Sequence, residues 1–86
     1  MTLKETIIRI PYKNNEVEAT LKQLEEVEHD VVTALSKNDL GIYEDLSIGG
    51  GFVFLSIYSK NPKNVAKMLS PLLKKYPISK EALIIP

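Results

Sequence analysis

Between Leu40 and Leu72 the chain alternates, breaks, and then changes period. Leu40-Gly41-Ile42-Tyr43-Glu44-Asp45-Leu46-Ser47-Ile48 sets large apolar residues against small or polar ones. Three glycines interrupt at 49–51, and Phe52-Val53-Phe54-Leu55-Ser56-Ile57-Tyr58 resumes with β-branched and aromatic residues. A period of two predicts strands. Glycines that take positive φ readily predict a turn or bulge that joins the two as a hairpin. Asn61-Pro62 then reads as a helix start, with asparagine as N-cap and proline at the first helical position. Val65, Leu69, Leu72, Leu73 and Tyr76 share its apolar face. Pro71 lies inside that pattern, lacks an amide donor, and predicts a kink or break. Lys74 and Lys75 suit a helix C-terminus, and Pro77 is read as its end.

The first half carries the same two periods. From Glu5 to Ile10 the pattern is a strand, Ile8 and Ile10 on one face and Ile7 and Arg9 on the other, with Pro11 ending it. Asn14 or Asn15 can cap a helix whose first turn carries Glu16 and Glu18. Val17, Leu21, Leu24, Val31 and Leu35 follow at helical spacing, Val27 and Val32 widen the stripe, and Glu28 sits in its gap. This helix runs to Ser36 or Lys37. Ala82-Leu83-Ile84-Ile85 is a final strand.

The order β-α-β-β-α-β predicts an α+β fold, one domain over residues 1–86. It is the ferredoxin-like arrangement, a four-stranded antiparallel sheet with both helices on one face. One sheet face is then uncovered. The all-aliphatic set Val53, Leu55 and Ile57 is expected to meet the helices, which turns Phe52, Phe54 and Tyr58 outward as a surface for a second copy or another partner. The reverse assignment puts the aromatics in the core.

Composition narrows the function classes. Apolar residues make up 44% of the chain and charged residues 26%, values of an ordinary globular domain. No apolar run approaches the ~18 residues of a membrane span, and Met1-Thr2-Leu3-Lys4-Glu5 lacks the basic-then-apolar pattern of a signal peptide. The absence of cysteine excludes disulfides, thiolate metal sites and a cysteine nucleophile, and fits the cytoplasm. The net charge of zero divides unevenly: residues 1–45 hold five bases and ten acids, a net −5, and residues 46–86 hold six lysines and one acid, a net +5. Such a division steers a charged partner toward one face, or simply solvates two helices.

Candidate chemistry is sparse. His29, the single histidine, lies among Glu25, Glu26, Glu28 and Asp30 but lacks the second imidazole or thiolate of most transition-metal sites. Glu44-Asp45 are neighbours in a strand, where adjacent side chains point to opposite faces, so they do not form an acid–base pair. Gly49-Gly50-Gly51 feeds a strand, whereas a phosphate loop feeds a helix N-terminus. RNA binding on a ferredoxin-like sheet uses aromatics on the central strands and a basic surface. Here the first strand offers no aromatic and the net charge is zero. No catalytic residue, metal, cofactor, nucleic acid or membrane partner is expected.

From Val17 through Leu73 the chain resembles a family of small bacterial ferredoxin-like proteins, most of them without an assigned activity. The resemblance lies in a Leu/Glu-rich first helix, Leu40-Gly41-Ile42-Tyr43-Glu44-Asp45, the glycine-rich turn, the strand ending Ile57-Tyr58, and Ser70-Pro71-Leu72-Leu73. The family's Gly-x-Tyr-Asp-Gly ends differently here, as Glu44-Asp45-Leu46. Some such proteins resemble immunity proteins of contact-dependent toxin systems. The resemblance therefore implies a protein that occludes a toxin domain. Asp30, Asp39, Glu44 and Asp45, which cluster in sequence around the helix exit and the following strand, are the expected acidic contact for a basic nuclease. The alternative is a stand-alone ligand-binding or dimerisation module.

Overall fold

The computed structural model describes residues 2–12 and 17–85. Its elements run β1 (Lys4–Pro11), α1 (Val17–Lys37), β2 (Ile42–Gly49), β3 (Phe52–Ser59), α2 (Pro62–Leu73), a 3₁₀ turn (Pro77–Ser79) and β4 (Leu83–Ile85). The strands lie side by side in the order β2-β3-β1-β4, and each neighbouring pair is antiparallel. This is the ferredoxin-like α+β fold. The expected cap at Asn14 or Asn15 lies outside the described residues, as do the side chains of Val17 to Thr20.

Strand pairing sets the faces. Ile8 stands opposite Leu55 and Ile84, and Ile10 opposite Val53. On this face Ile8, Ile10, Val53, Leu55 and Ile57 join Leu24, Val27, Val31 and Leu35 of α1 and Val65, Leu69 and Leu73 of α2 in one buried core. Both helices thus cover the same side of the sheet. Each fully buried aliphatic side chain contributes roughly 1.5–3 kcal/mol, so these twelve residues are the main source of stability. Among the described residues no helix is long and apolar enough to cross a membrane.

The turns follow from local chemistry. Gly49 closes the hairpin opposite Phe52. Gly50 and Gly51 then form a two-residue loop with φ of 60° and 82°. Positive φ at both positions is type I′ geometry, whose twist matches that of the flanking strands. α1 ends in a Schellman motif: the Leu40 amide donates to the Leu35 carbonyl at 3.0 Å and the Asp39 amide to Ser36 at 3.4 Å. Asp39 takes the left-handed position of that motif, at φ 50°. At the start of α2 the Asn61 side chain accepts the Asn64 amide at 3.3 Å, with Pro62 at the first helical position.

Three details differ from the sequence pattern. Leu21 and Val32 of the apolar series are 47% and 42% exposed. They fall on the Glu28 side of the α1 stripe, above β2, and β2 is an edge strand with no neighbour beyond it to bury them. Pro71 does not split α2, which passes through it and stops two residues later at Leu73. A proline this close to a helix end costs a single ladder bond. Tyr76 is therefore outside the helix, and Pro77 opens the 3₁₀ turn instead of closing α2.

Candidate functional site

Among the described residues nothing covers the face of the sheet away from the helices. Its residues come from every second position of each strand: Glu5, Ile7, Arg9 and Pro11 of β1, Phe52, Phe54, Ser56 and Tyr58 of β3, Ile42, Asp45 and Ser47 of β2, and Leu83 and Ile85 of β4. The aliphatic set of β3 is buried and its aromatic set is half-buried on this open side. Large apolar side chains dominate the surface. Ile42 is 56% exposed, Leu83 49% and Ile85 42%. Water contacts them because no third layer is present among the described residues, and large exposed apolar patches commonly mark interaction sites.

Polar groups on the face are held in place by their neighbours. The Ser56 hydroxyl donates to the Glu5 carboxylate at 2.5 Å, and the Tyr58 hydroxyl reaches the same oxygen at 3.4 Å. The Arg9 guanidinium lies over the Phe52 ring, 4.9 Å from its centroid, a cation–π contact. Phe52 and Phe54 are tilted at 46° with centroids 6.2 Å apart. Pairing thus builds two rows of opposite character. Glu5 and Tyr58 stand opposite each other in one row, and Arg9, Phe54 and Leu83 line up in another.

The four carboxylates expected to act together are not brought together. Asp30 of α1 is half-buried on the helix layer, where it accepts the Tyr76 hydroxyl. This bond, with desolvation, raises the Tyr76 phenol above its ordinary pKa. Asp39 belongs to the helix cap. Asp45 lies on the open face opposite Ser56, and one of its oxygens accepts the Leu46 amide at 2.8 Å. Glu44 is exposed at a bulge: Tyr43 pairs with Ile57 and Asp45 with Ser56, which leaves Glu44 without a partner. Strict alternation of side chains therefore does not hold at Glu44-Asp45. The signal for the bulge is weak in sequence, since a bulge is one inserted residue in an otherwise regular strand.

Phe52, Phe54 and Tyr58 are brought together on one strand face. Glu5, Ile7, Arg9, Ile42, Leu83 and Ile85 complete that surface although none was a candidate site residue. Alternation in β1 already separates Ile7 and Arg9 from the core pair Ile8 and Ile10. The placement of Ile42, Leu83 and Ile85 needs the strand register.

His29 is exposed on the outer side of α1. It borders a groove of about 310 Å³ lined also by Lys22, Glu25, Glu26, Asp30 and Tyr76. Among the described residues no group of three or more His, Asp and Glu side chains is arranged to hold a metal ion. A second cleft, about 220 Å³, lies between α2 and β4 and is lined mainly by small residues. The two helices differ in sign: the exposed side of α1 carries Glu25 and Glu26, while α2 exposes Lys63 and Lys67 and the turn after it Lys74 and Lys75. Comparison of the chain with protein-family models, with curated proteins and with solved structures found no match in any of the three.

Proposed function

We propose that this protein acts by binding other proteins, that the uncovered face of its sheet is its association surface, and that its role is immunity to a cognate bacterial toxin. The observation that carries the binding reading is the set of apolar residues Ile7, Ile42, Phe52, Phe54, Leu83 and Ile85 on a layer that no described residue covers. The toxin reading draws on the family resemblance and on the charge layout. An acidic α1 beside a basic α2 orients a charged partner, and basic nuclease surfaces are attracted to the α1 side.

The test is co-expression with the product of the adjacent gene. Wild-type protein should restore growth, and Phe54→Asp, which places a charge in the middle of the apolar area, should not. A product that is harmless alone, or still lethal beside the wild-type protein, removes the immunity role. The second reading, a stand-alone dimerisation module, is favoured by the order of charges along β1.

A further inference from the structure

We propose that a second copy of this chain occupies the uncovered face, laid antiparallel across it about a two-fold axis at Ile7. The inference rests on the reading of that face as the association surface and names its occupant. Along β1 the outward residues run Glu5, Ile7, Arg9, and each brings its β3 partner: Tyr58, Ser56 and Phe54. Read end for end about Ile7, the order negative, apolar, positive inverts in sign. A surface of this kind is complementary to itself, which an isologous interface requires. The two-fold sets Glu5 of each copy over Arg9 of the other, Phe54 over Tyr58, and Ile7 over its own counterpart. Both charges are already positioned, Glu5 by the Ser56 hydroxyl and Arg9 by the Phe52 ring.

The alternative symmetric contact, edge against edge, is guarded. β2 is the long edge strand, and it carries the bulge at Glu44 followed by Asp45. A bulge with charged side chains on an edge strand is a common protection against strand pairing. In the face-to-face pair the two-fold also sets Asp45 over its own counterpart, but at the β2 rim, where solvent and salt screen the like charges. Strands about 4.8 Å apart and about 20–25 Å long give a face of roughly 400–500 Å² in projection. That is below the ~800 Å² per partner of standard interfaces, the range of transient contacts, so the dimer is reversible. Because the pair is reversible, a toxin that binds the same face more tightly displaces the second copy.

Sedimentation velocity across a range of protein concentrations tests the proposal through charge reversal. Wild-type protein should shift from monomer to dimer as concentration rises. Glu5→Arg alone and Arg9→Glu alone should stay monomeric, because each sets like charges against each other across the two-fold. An equal mixture of the two variants should recover the dimer, since every cross-copy pair then joins a cation to an anion. Glu5→Gln, which keeps an acceptor for Ser56, should weaken association several-fold, and circular dichroism should show all variants folded. A wild-type protein that stays monomeric, a dimer that survives both reversals, or a mixture that fails to recover it overturns the assignment. If the wild-type protein is monomeric yet Phe54→Asp abolishes rescue from the toxin, the face binds another protein and only the second copy is wrong. If Phe54→Asp alters neither association nor rescue, the reading of the face fails with it.

Discussion

The Tyr43 hydroxyl of β2 donates to the Glu28 carboxylate of α1 at 2.5 Å. Glu28 occupies the gap in the apolar stripe of α1, and Tyr43 lies on the helix-facing side of the edge strand, opposite Ile57. The bond therefore ties the acidic helix to the outer strand where hydrophobic cover runs out. Tyr43→Phe should destabilise the fold by about 1–2 kcal/mol, because a half-buried carboxylate loses its donor. In urea denaturation the double variant with Glu28→Gln should cost less than the two single variants summed.

Alkaline pH should weaken the same contact. Burial first, and then the bond to Glu28, raise the Tyr43 phenol above its ordinary pKa. Tyr76 is raised as well, chiefly by its bond to Asp30. A folded-state pKa above the unfolded value means the folded protein retains protons that the unfolded chain releases. The contribution is complete below about pH 10, the unfolded tyrosine value, and is lost as pH rises beyond it. Denaturant midpoints measured from pH 8 to 11 should fall above pH 10, and Tyr43→Phe should flatten that fall.

Gly41 is required by close approach. An added Cβ would lie 2.5 Å from the Tyr58 carbonyl oxygen and 2.9 Å from the Ser59 Cβ. Both obstacles belong to β3, a strand paired on both sides, and neither is the free end of a flexible side chain. Gly41→Ala should cost about 2–3 kcal/mol through a backbone shift, read as a lower urea midpoint with an unchanged slope.

Asp39 has the opposite expectation. It holds φ 50° at the position of the α1 Schellman motif that glycine usually fills. Asp39→Gly should stabilise the protein by about 0.5–1 kcal/mol, the relief of left-handed strain outweighing the added freedom of the unfolded chain. Thermal unfolding followed by circular dichroism should show a higher midpoint.

The hydroxyls of Thr6 and Ser59 are fully buried and have no hydrogen-bond partner among the described residues. Thr6→Val keeps the shape and removes the orphaned group, so it should stabilise by about 1 kcal/mol. A lower urea midpoint for this variant would show that the hydroxyl has a partner in solution.

Much of this architecture is legible from local pattern. Period-two alternation separates Val53, Leu55 and Ile57 from Phe52, Phe54 and Tyr58, and the asparagine–proline pair at 61–62 marks the start of α2. What pattern misses is decided by position in the assembled sheet. Leu21 and Val32 belong to the apolar series of α1, but they overhang the edge strand. Tyr76 fits the α2 period, yet it leaves the helix and binds Asp30. The acidic residues look grouped because they are close in sequence, whereas the fold distributes them among the helix layer, a cap and the open face. Glu5 and Arg9 gain their significance only from the register, which sets each beside an aromatic residue of β3.

The central place of β1 has a consequence for the order of events during synthesis. β1 is made first, yet it is bonded on one side by β3 and on the other by β4, both of which are made much later. At about 5–20 residues per second, the ribosome leaves Ile8 and Ile10 without a strand partner for several seconds. The β2–β3 hairpin, closed by its two-residue turn, is the one pair of neighbouring strands that can form from contiguous chain. The strand at the centre of the sheet thus stands ready before either of the strands that flank it has been made.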